Sequence, residues 1–306
     1  MIRPRAHLPS LGRALMGLLL AGLVATGCSG PETTSASPSP GPSLTPASSA
    51  SSTPTAPDPA GQEPATATPS PGTVPPAWLG TRVLPVDEQG YGVRRPTPPE
   101  LRVRRFTLPS DVPGPAGDAF WSHVETVPGV VLDRSTWEAG CPVGAEDLAW
   151  VRLRFWGFDD RPHLGELLVH RSVAEDVVAV FRRLFEVRFP IEEMRITRRD
   201  ELDAPPTGDG NNTGAFVCRP KAGQTSGFSE HAYGLAVDLD PFQNPYQRGS
   251  LVLPELASSY LRRDHLRPGM ITADGPVVRA FADIGWAWGG AWRTLKDYQH
   301  FSLRGR

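Results

Sequence analysis

The sequence predicts an α+β fold, a small antiparallel sheet flanked by helices, and three stretches carry that expectation. Val151, Leu153 and Phe155 alternate with Arg152 and Arg154, the period of two that lays apolar side chains on one face of a strand. After Ser172 the apolar residues recur at helical spacing instead, at Val173, Val177, Phe181, Leu184 and Phe185. Near the C-terminal end Leu235, Val237 and Leu239 alternate with Ala236, Asp238 and Asp240, so the strand period returns. Helices and antiparallel strands gathered around one small sheet make an α+β domain.

The start of the 306-residue chain stands apart from that domain. Arg3, Arg5 and Arg13 precede an apolar run from Ala14 to Ala25, too short for a stable membrane span, and small residues then lead to Cys28. Residues 1–27 therefore read as a signal peptide. Ala25-Thr26-Gly27-Cys28 resembles a bacterial lipobox, in which the cysteine becomes the lipidated N-terminus; cleavage nearby with full secretion is the alternative. Residues 28–77 are rich in Ser, Thr, Pro and Ala, cannot bury enough surface to offset their ordering entropy, and are expected to be a disordered linker. Extended at up to ~3 Å per residue, such a linker reaches on the order of 100 Å.

Residues 78–140 contain Gly90-Tyr91-Gly92 and Pro96-Thr97-Pro98-Pro99 and read as an irregular arm, with a possible strand in the apolar run Val127 to Leu132. Residues 141–306 form the principal domain. After the strand at Trp150, the turn Gly157 to Pro162 and the run Glu166 to His170 predict a hairpin. Ser172-Val173-Ala174-Glu175 is a capping box that opens the helix, and Pro190 marks its end. Met194 to Ile196 predicts a further strand. A polar loop with Gly208, Gly210 and Gly214 leads to Ala215-Phe216-Val217-Cys218-Arg219. Pro241 to Pro268 reads as a long loop with a short helix near Ser258 to Arg263. Pro276 to Ile284 is a helix with proline in its first turn, stopped by Gly285, and Trp286 to Trp288 leads towards a last strand ending at Phe301.

Charge and cysteine usage narrow the function. The net charge is −2, and removal of residues 1–27 leaves 28 basic against 33 acidic residues, near −5, which gives no footing for nucleic acid. With Cys28 assigned to lipid, Cys141 and Cys218 remain in an exported domain and most simply form a disulfide. Neither has a neighbouring Cys or His at metal-ligand spacing.

The chemistry is concentrated in two segments. Gly234 lets the chain turn just before the strand, so His231 in that turn and Asp238 on the strand's polar face converge. Asp238 beside Asp240 on one face is costly unless a cation compensates, and a divalent metal would remove the conflict. The end of the chain adds Asp297 and His300 as a D-x-x-H pair among aromatic residues. Two His and one Asp as ligands, with a carboxylate that does not bind metal, is the donor set of a catalytic zinc that keeps its fourth position for water.

Ser229-x-His231-x6-Asp238, followed by a Trp-Gly-Gly segment and the terminal D-x-x-H, resembles the zinc D-alanyl-D-alanine carboxypeptidases of the VanY type. The L-alanyl-D-glutamate endopeptidases of cell-wall lysis share the same hedgehog/DD-peptidase fold. The resemblance covers roughly Trp150 to Phe301. It implies Zn2+ held by His231, Asp238 and His300, with the family's H-x6-D spacing selecting Asp238 over Asp240. It also implies Asp297 as general base, and Arg219 and Ser229 as residues that hold substrate. The activity implied is hydrolysis of a peptide bond in the peptidoglycan stem peptide, carboxypeptidase or endopeptidase. A non-catalytic peptidoglycan-binding lipoprotein and a zinc-stabilised interaction domain are the readings from other classes. The expected partners are stem peptides and, through the lipid, the membrane on the side facing the cell wall; no protein partner is predicted. Contributions from Gln224, Asp240 and Tyr298 stay open, and Trp286, Trp288 and Trp292 read as core or cleft wall.

Overall fold

The α+β class is what the chain adopts in a computed structural model that describes residues 70–220 and 227–305. The expected signal peptide at 1–27, Cys28, the expected linker as far as residue 69 and Gln224 lie outside the described residues. Strand β1 (Ser122–Thr126) pairs antiparallel with β2 (Leu148–Trp156), and β2 with β3 (Pro162–His170), in one three-stranded sheet. Between β1 and β2 the apolar run Val127 to Leu132 holds a short helix, α1 (Gly129–Asp133), rather than the expected strand. Pro128 presets the backbone there, and its carbonyl accepts from the Val131 and Leu132 amides.

Helix α2 (Ala174–Glu186) lies on that sheet. Its stripe of Val177, Phe181 and Leu184 is buried against Val151, Leu153 and Leu167 of the hairpin. The capping box does not form. Ser172 is occupied by His170, whose Nδ1 lies 2.7 Å from the Ser172 hydroxyl and accepts from the Ser172 amide at 3.2 Å, so a 3-10 turn precedes the helix.

Two-residue strands β4 (Glu193–Met194) and β5 (Asn212–Thr213) pair in parallel, and Ile196, expected in the first of them, lies beyond its end. The remaining strands are β6 (Ala236–Asp238), β7 (Tyr246–Arg248), β8 (Leu251–Leu253), β9 (Ala287–Trp288), β10 (Lys296–Asp297) and β11 (His300–Ser302). They form two further sheets, ordered β6-β11-β9 and β10-β7-β8. The segment read as a loop thus contains the β7–β8 hairpin, turned at Gly249, with a 3-10 turn at Ser258–Leu261. Helix α3 (Pro276–Asp283) begins on its proline and ends before Gly285 at φ 78°.

The main core joins these layers through Val237, Phe281 and Phe301, the last two stacked with ring centroids 3.9 Å apart. Val237 and Phe301 are fully buried opposite each other, a burial that contributes roughly 1.5–3 kcal/mol per side chain. That burial fixes the register of β6 on β11, because a slip of one residue would turn both side chains out of the core. A second cluster packs Leu101 and Phe106 against Phe242 and Tyr260. A third, around Trp150, Leu168 and Phe216, adjoins the Cys141–Cys218 disulfide, which closes a separation of 77 residues. A loop of that length contributes about 4 kcal/mol by the chain-entropy relation. Among the described residues no helix is long and apolar enough to cross a membrane.

Candidate metal centre

His231 is presented by a 3-10 turn, Glu230–Tyr233, with Ser229 at its N-cap and Gly234 at its end. The Ser229 hydroxyl accepts from the His231 amide at 3.4 Å, a long bond that marks it as a turn cap. Gly234 adopts φ 66° and its carbonyl accepts from the His170 amide at 2.8 Å, which pins the turn to the end of β3. A Cβ at Gly234 would lie 2.4 Å from the His170 nitrogen, so only glycine permits this approach.

Asp238 and His300 are direct cross-strand partners of β6 and β11. Directly opposite residues point to the same side of a sheet, so the register that buries Val237 and Phe301 turns Asp238 and His300 together to the other side. Asp238 Oδ1 lies 3.0 Å from His300 Nδ1, and Asp238 Oδ2 lies 3.2 Å from His231 Nε2. The two imidazoles are themselves 3.2 Å apart, Nε2 to Nδ1. One donor atom from each of the three residues falls within 4.8 Å of the others.

The donor chemistry fits a metal cation. His231 Nδ1 sits 2.6 Å from the Ala215 carbonyl, which can only accept, so Nδ1 carries the proton and the Nε2 lone pair of the neutral ring points at Asp238 and His300. His300 Nδ1 lies 3.2 Å from that lone pair and 3.0 Å from Asp238 Oδ1, so a proton or a cation among the three atoms would satisfy them together. Both rings are almost fully buried. Burial would raise the Asp238 carboxyl, but the neighbouring His231 and His300 outweigh it and hold the group well below the usual carboxylate range. A borderline cation such as zinc suits this set of two nitrogens and a carboxylate oxygen.

Asp297 reaches the same place from β10, held by its pairing with Tyr246 of β7. The Trp-Gly-Gly segment makes room for it. A Cβ on Gly289 would meet the Asp297 carbonyl at 2.6 Å and its Cβ at 2.8 Å, and the Trp288 indole donates to the Tyr298 carbonyl at 2.8 Å. Asp297 Oδ1 is buried without a hydrogen-bond partner. Burial pushes this carboxyl up to about 7, the Asp238 charge adds to the rise, and His300 and Arg219 pull back against it.

The cleft over these groups measures about 720 Å3, and Arg219 and Ser229 both line it. Arg219 follows the disulfide at Cys218, whose amide donates to Thr136 Oγ1 at 2.9 Å, and the Arg219 carbonyl accepts from the Ser229 amide at 3.1 Å. Asp240 is not in the site. It turns off the end of β6 at φ 42°, is fully buried, and accepts from the Glu192 amide at 3.1 Å. The expected crowding of Asp238 by Asp240 on one strand face therefore does not occur.

Of the tryptophans, Trp286 is core, whereas Trp292 lines the cleft with its ring 5.5 Å from that of His300. Tyr298 stacks under the Arg263 guanidinium and is not among the residues that line the cleft. Sequence reasoning missed Glu230, Tyr246, Arg248 and Arg293 as cleft residues. Glu230 stood inside the quoted motif and went unremarked; nothing in the local pattern marks the others.

An α+β domain that directs two imidazoles and a carboxylate at one point, with a second carboxylate beside them, has the side chains of a hydrolytic metal centre. Residues 222–303 match the model of a peptidase family described as D-alanyl-D-alanine carboxypeptidase. Over that range the chain is similar to these peptidases, in keeping with the VanY-type resemblance of its two motifs. The matched range takes in Ser229, His231, Asp238, Asp297 and His300 and stops short of Arg219 and both disulfide cysteines. No solved structure gives a significant match to the chain.

Proposed function

We propose that this chain is a zinc metallopeptidase that hydrolyses a peptide bond in the peptidoglycan stem peptide, of the D-alanyl-D-alanine carboxypeptidase type. The observation that carries the reading is the convergence of His231 Nε2, Asp238 and His300 Nδ1 beside Asp297 in one open cleft. Zinc held by those three residues would polarise the scissile carbonyl and bring the pKa of a water to about 7. Asp297, lining the same cleft beside the three donors, takes the proton of the attacking water and returns it to the leaving amine. Ala215, through its carbonyl, keeps His231 in the tautomer that presents Nε2. The Arg219 guanidinium holds the free carboxylate of the terminal residue through two parallel hydrogen bonds, and Ser229 keeps the His231 turn in place while facing the substrate.

The signal peptide at 1–27 and the lipobox-like Cys28 support an exported protein anchored to the membrane by lipid. The 28–77 linker would then carry the enzyme out to its substrate in the wall.

Mass spectrometry of purified muropeptides incubated with the zinc-loaded protein tests the activity. Release of D-alanine is the expected result. A stem split between L-alanine and D-glutamate would reassign the bond to the endopeptidase type. Intact muropeptides that nevertheless bind, with stoichiometric zinc present, would leave a peptidoglycan-binding lipoprotein and end the peptidase reading.

A further inference from the structure

The chain is net acidic, yet its cleft is lined by three arginines, Arg219, Arg248 and Arg293. One cation accounts for one terminal carboxylate; the other two have no such assignment. Arg248 closes β7 and Arg293 lies in the loop between Trp292 and β10, and both are exposed. Neither side chain makes a hydrogen bond or an ion pair among the described residues, and Arg219 makes only a 3.4 Å contact to the Pro220 carbonyl.

The carboxylates lining the cleft do not neutralise them. Asp238 is engaged by the two histidines, Glu230 faces Arg304 at 3.6 Å, and Asp297 lies with Oδ1 unpartnered. Lys296, the cation of β10, donates to the Gly290 carbonyl at 3.0 Å. Guanidinium groups that a fold leaves unpaired around a cleft are carboxylate receptors, since each can offer two parallel donors and desolvates more readily than an ammonium.

We propose that Arg248 and Arg293 select peptides carrying at least one further free carboxylate besides the terminal one, and discriminate against the same peptides with that group as a carboxamide. The proposal deepens the peptidase reading above and rests on it for the place of the scissile bond. A carboxamide keeps the size and loses the charge, so the discrimination is electrostatic and weakens as salt screens it.

The test uses the zinc-loaded full chain and two synthetic peptides ending in D-Ala-D-Ala. They are identical except that the side-chain carboxylates upstream of that pair are free in one and amidated in the other. A preference of roughly three- to tenfold in kcat/KM for the free acid is expected, the scale of one or two exposed charge-assisted contacts. It should shrink in 0.5 M salt, collapse towards one in R248Q/R293Q, and reverse in R248E/R293E. A wild-type ratio within twofold of one, or a ratio unchanged in both double variants, overturns the proposal. If neither peptide is cleaved, the peptidase reading fails, and titration calorimetry with the same pair then decides this inference: a free-acid preference lost in R248Q/R293Q sustains it, and equal affinities sink it.

Discussion

At the scale of single residues the proposed function separates holding a metal from using it. His231, Asp238 and His300 each offer one donor atom to a common point, and none can be spared, because two ligands cannot enclose a tetrahedral cation. His231→Ala, Asp238→Ala or His300→Ala should each reduce bound zinc from about one equivalent to near none, read by atomic emission after dialysis. Each should also abolish any rise in melting temperature on adding zinc, since a ligand stabilises only the state that binds it. Asp297 is different: it lies beside the cluster and contributes no donor to it. Asp297→Asn keeps the shape and removes the proton acceptor. It should retain full zinc and lose on the order of 10²–10⁴-fold in kcat, the usual span for a general base. A variant that loses zinc in proportion to activity would make Asp297 a ligand instead.

At the scale of elements, a glycine decides where His231 points. Gly234 ends the 3-10 turn in the left-handed region with the His170 backbone against it. Gly234→Ala should cost about 1–3 kcal/mol in chemical denaturation and weaken zinc binding roughly tenfold by displacing the turn. Unchanged zinc affinity would mean that the turn is held by its other bonds. The same turn and strand were legible in the sequence because their reasons are local: alternation marks β6, and a glycine before it marks the turn. Asp240 was misplaced for a reason the alternation could not reveal. β6 ends at Asp238, Asp240 two residues on takes a positive φ, and its partner is Glu192, 48 positions away. The β7–β8 hairpin was illegible because only Val252 of its six residues is fully buried, which leaves no periodic signal. Arg248 and Arg293 became cleft residues only once β10 had paired with β7, a pairing that local pattern does not encode.

At the scale of the whole molecule, the irregular segment before β1 is tied into the architecture behind β6. Its link is Arg104, fully buried, which donates through Nε and one terminal nitrogen to Glu192 at 2.7 and 2.5 Å and through the other to the Asp209 carbonyl at 2.7 Å. Asn211 donates to the same Glu192 at 2.8 Å, and the Glu192 amide donates to Asp240, two residues past Asp238. Leu101 and Phe106, on either side of Arg104, pack on Phe242 and Tyr260. The arm therefore braces the end of β6 from behind, although its sequence showed only turns and prolines. A buried ion pair is a weak source of net stability, but removal of one partner strands the other charge in a dry interior. Arg104→Met should accordingly cost about 3–5 kcal/mol in urea denaturation. Arg104→Met with Glu192→Leu, which removes the stranded charge as well, should recover more than half of that loss. If the arm were a detachable appendage, the single variant would instead unfold with wild-type stability and bind zinc normally. A large single loss with recovery in the double variant is the outcome that ties residues before β1 to the geometry of Asp238.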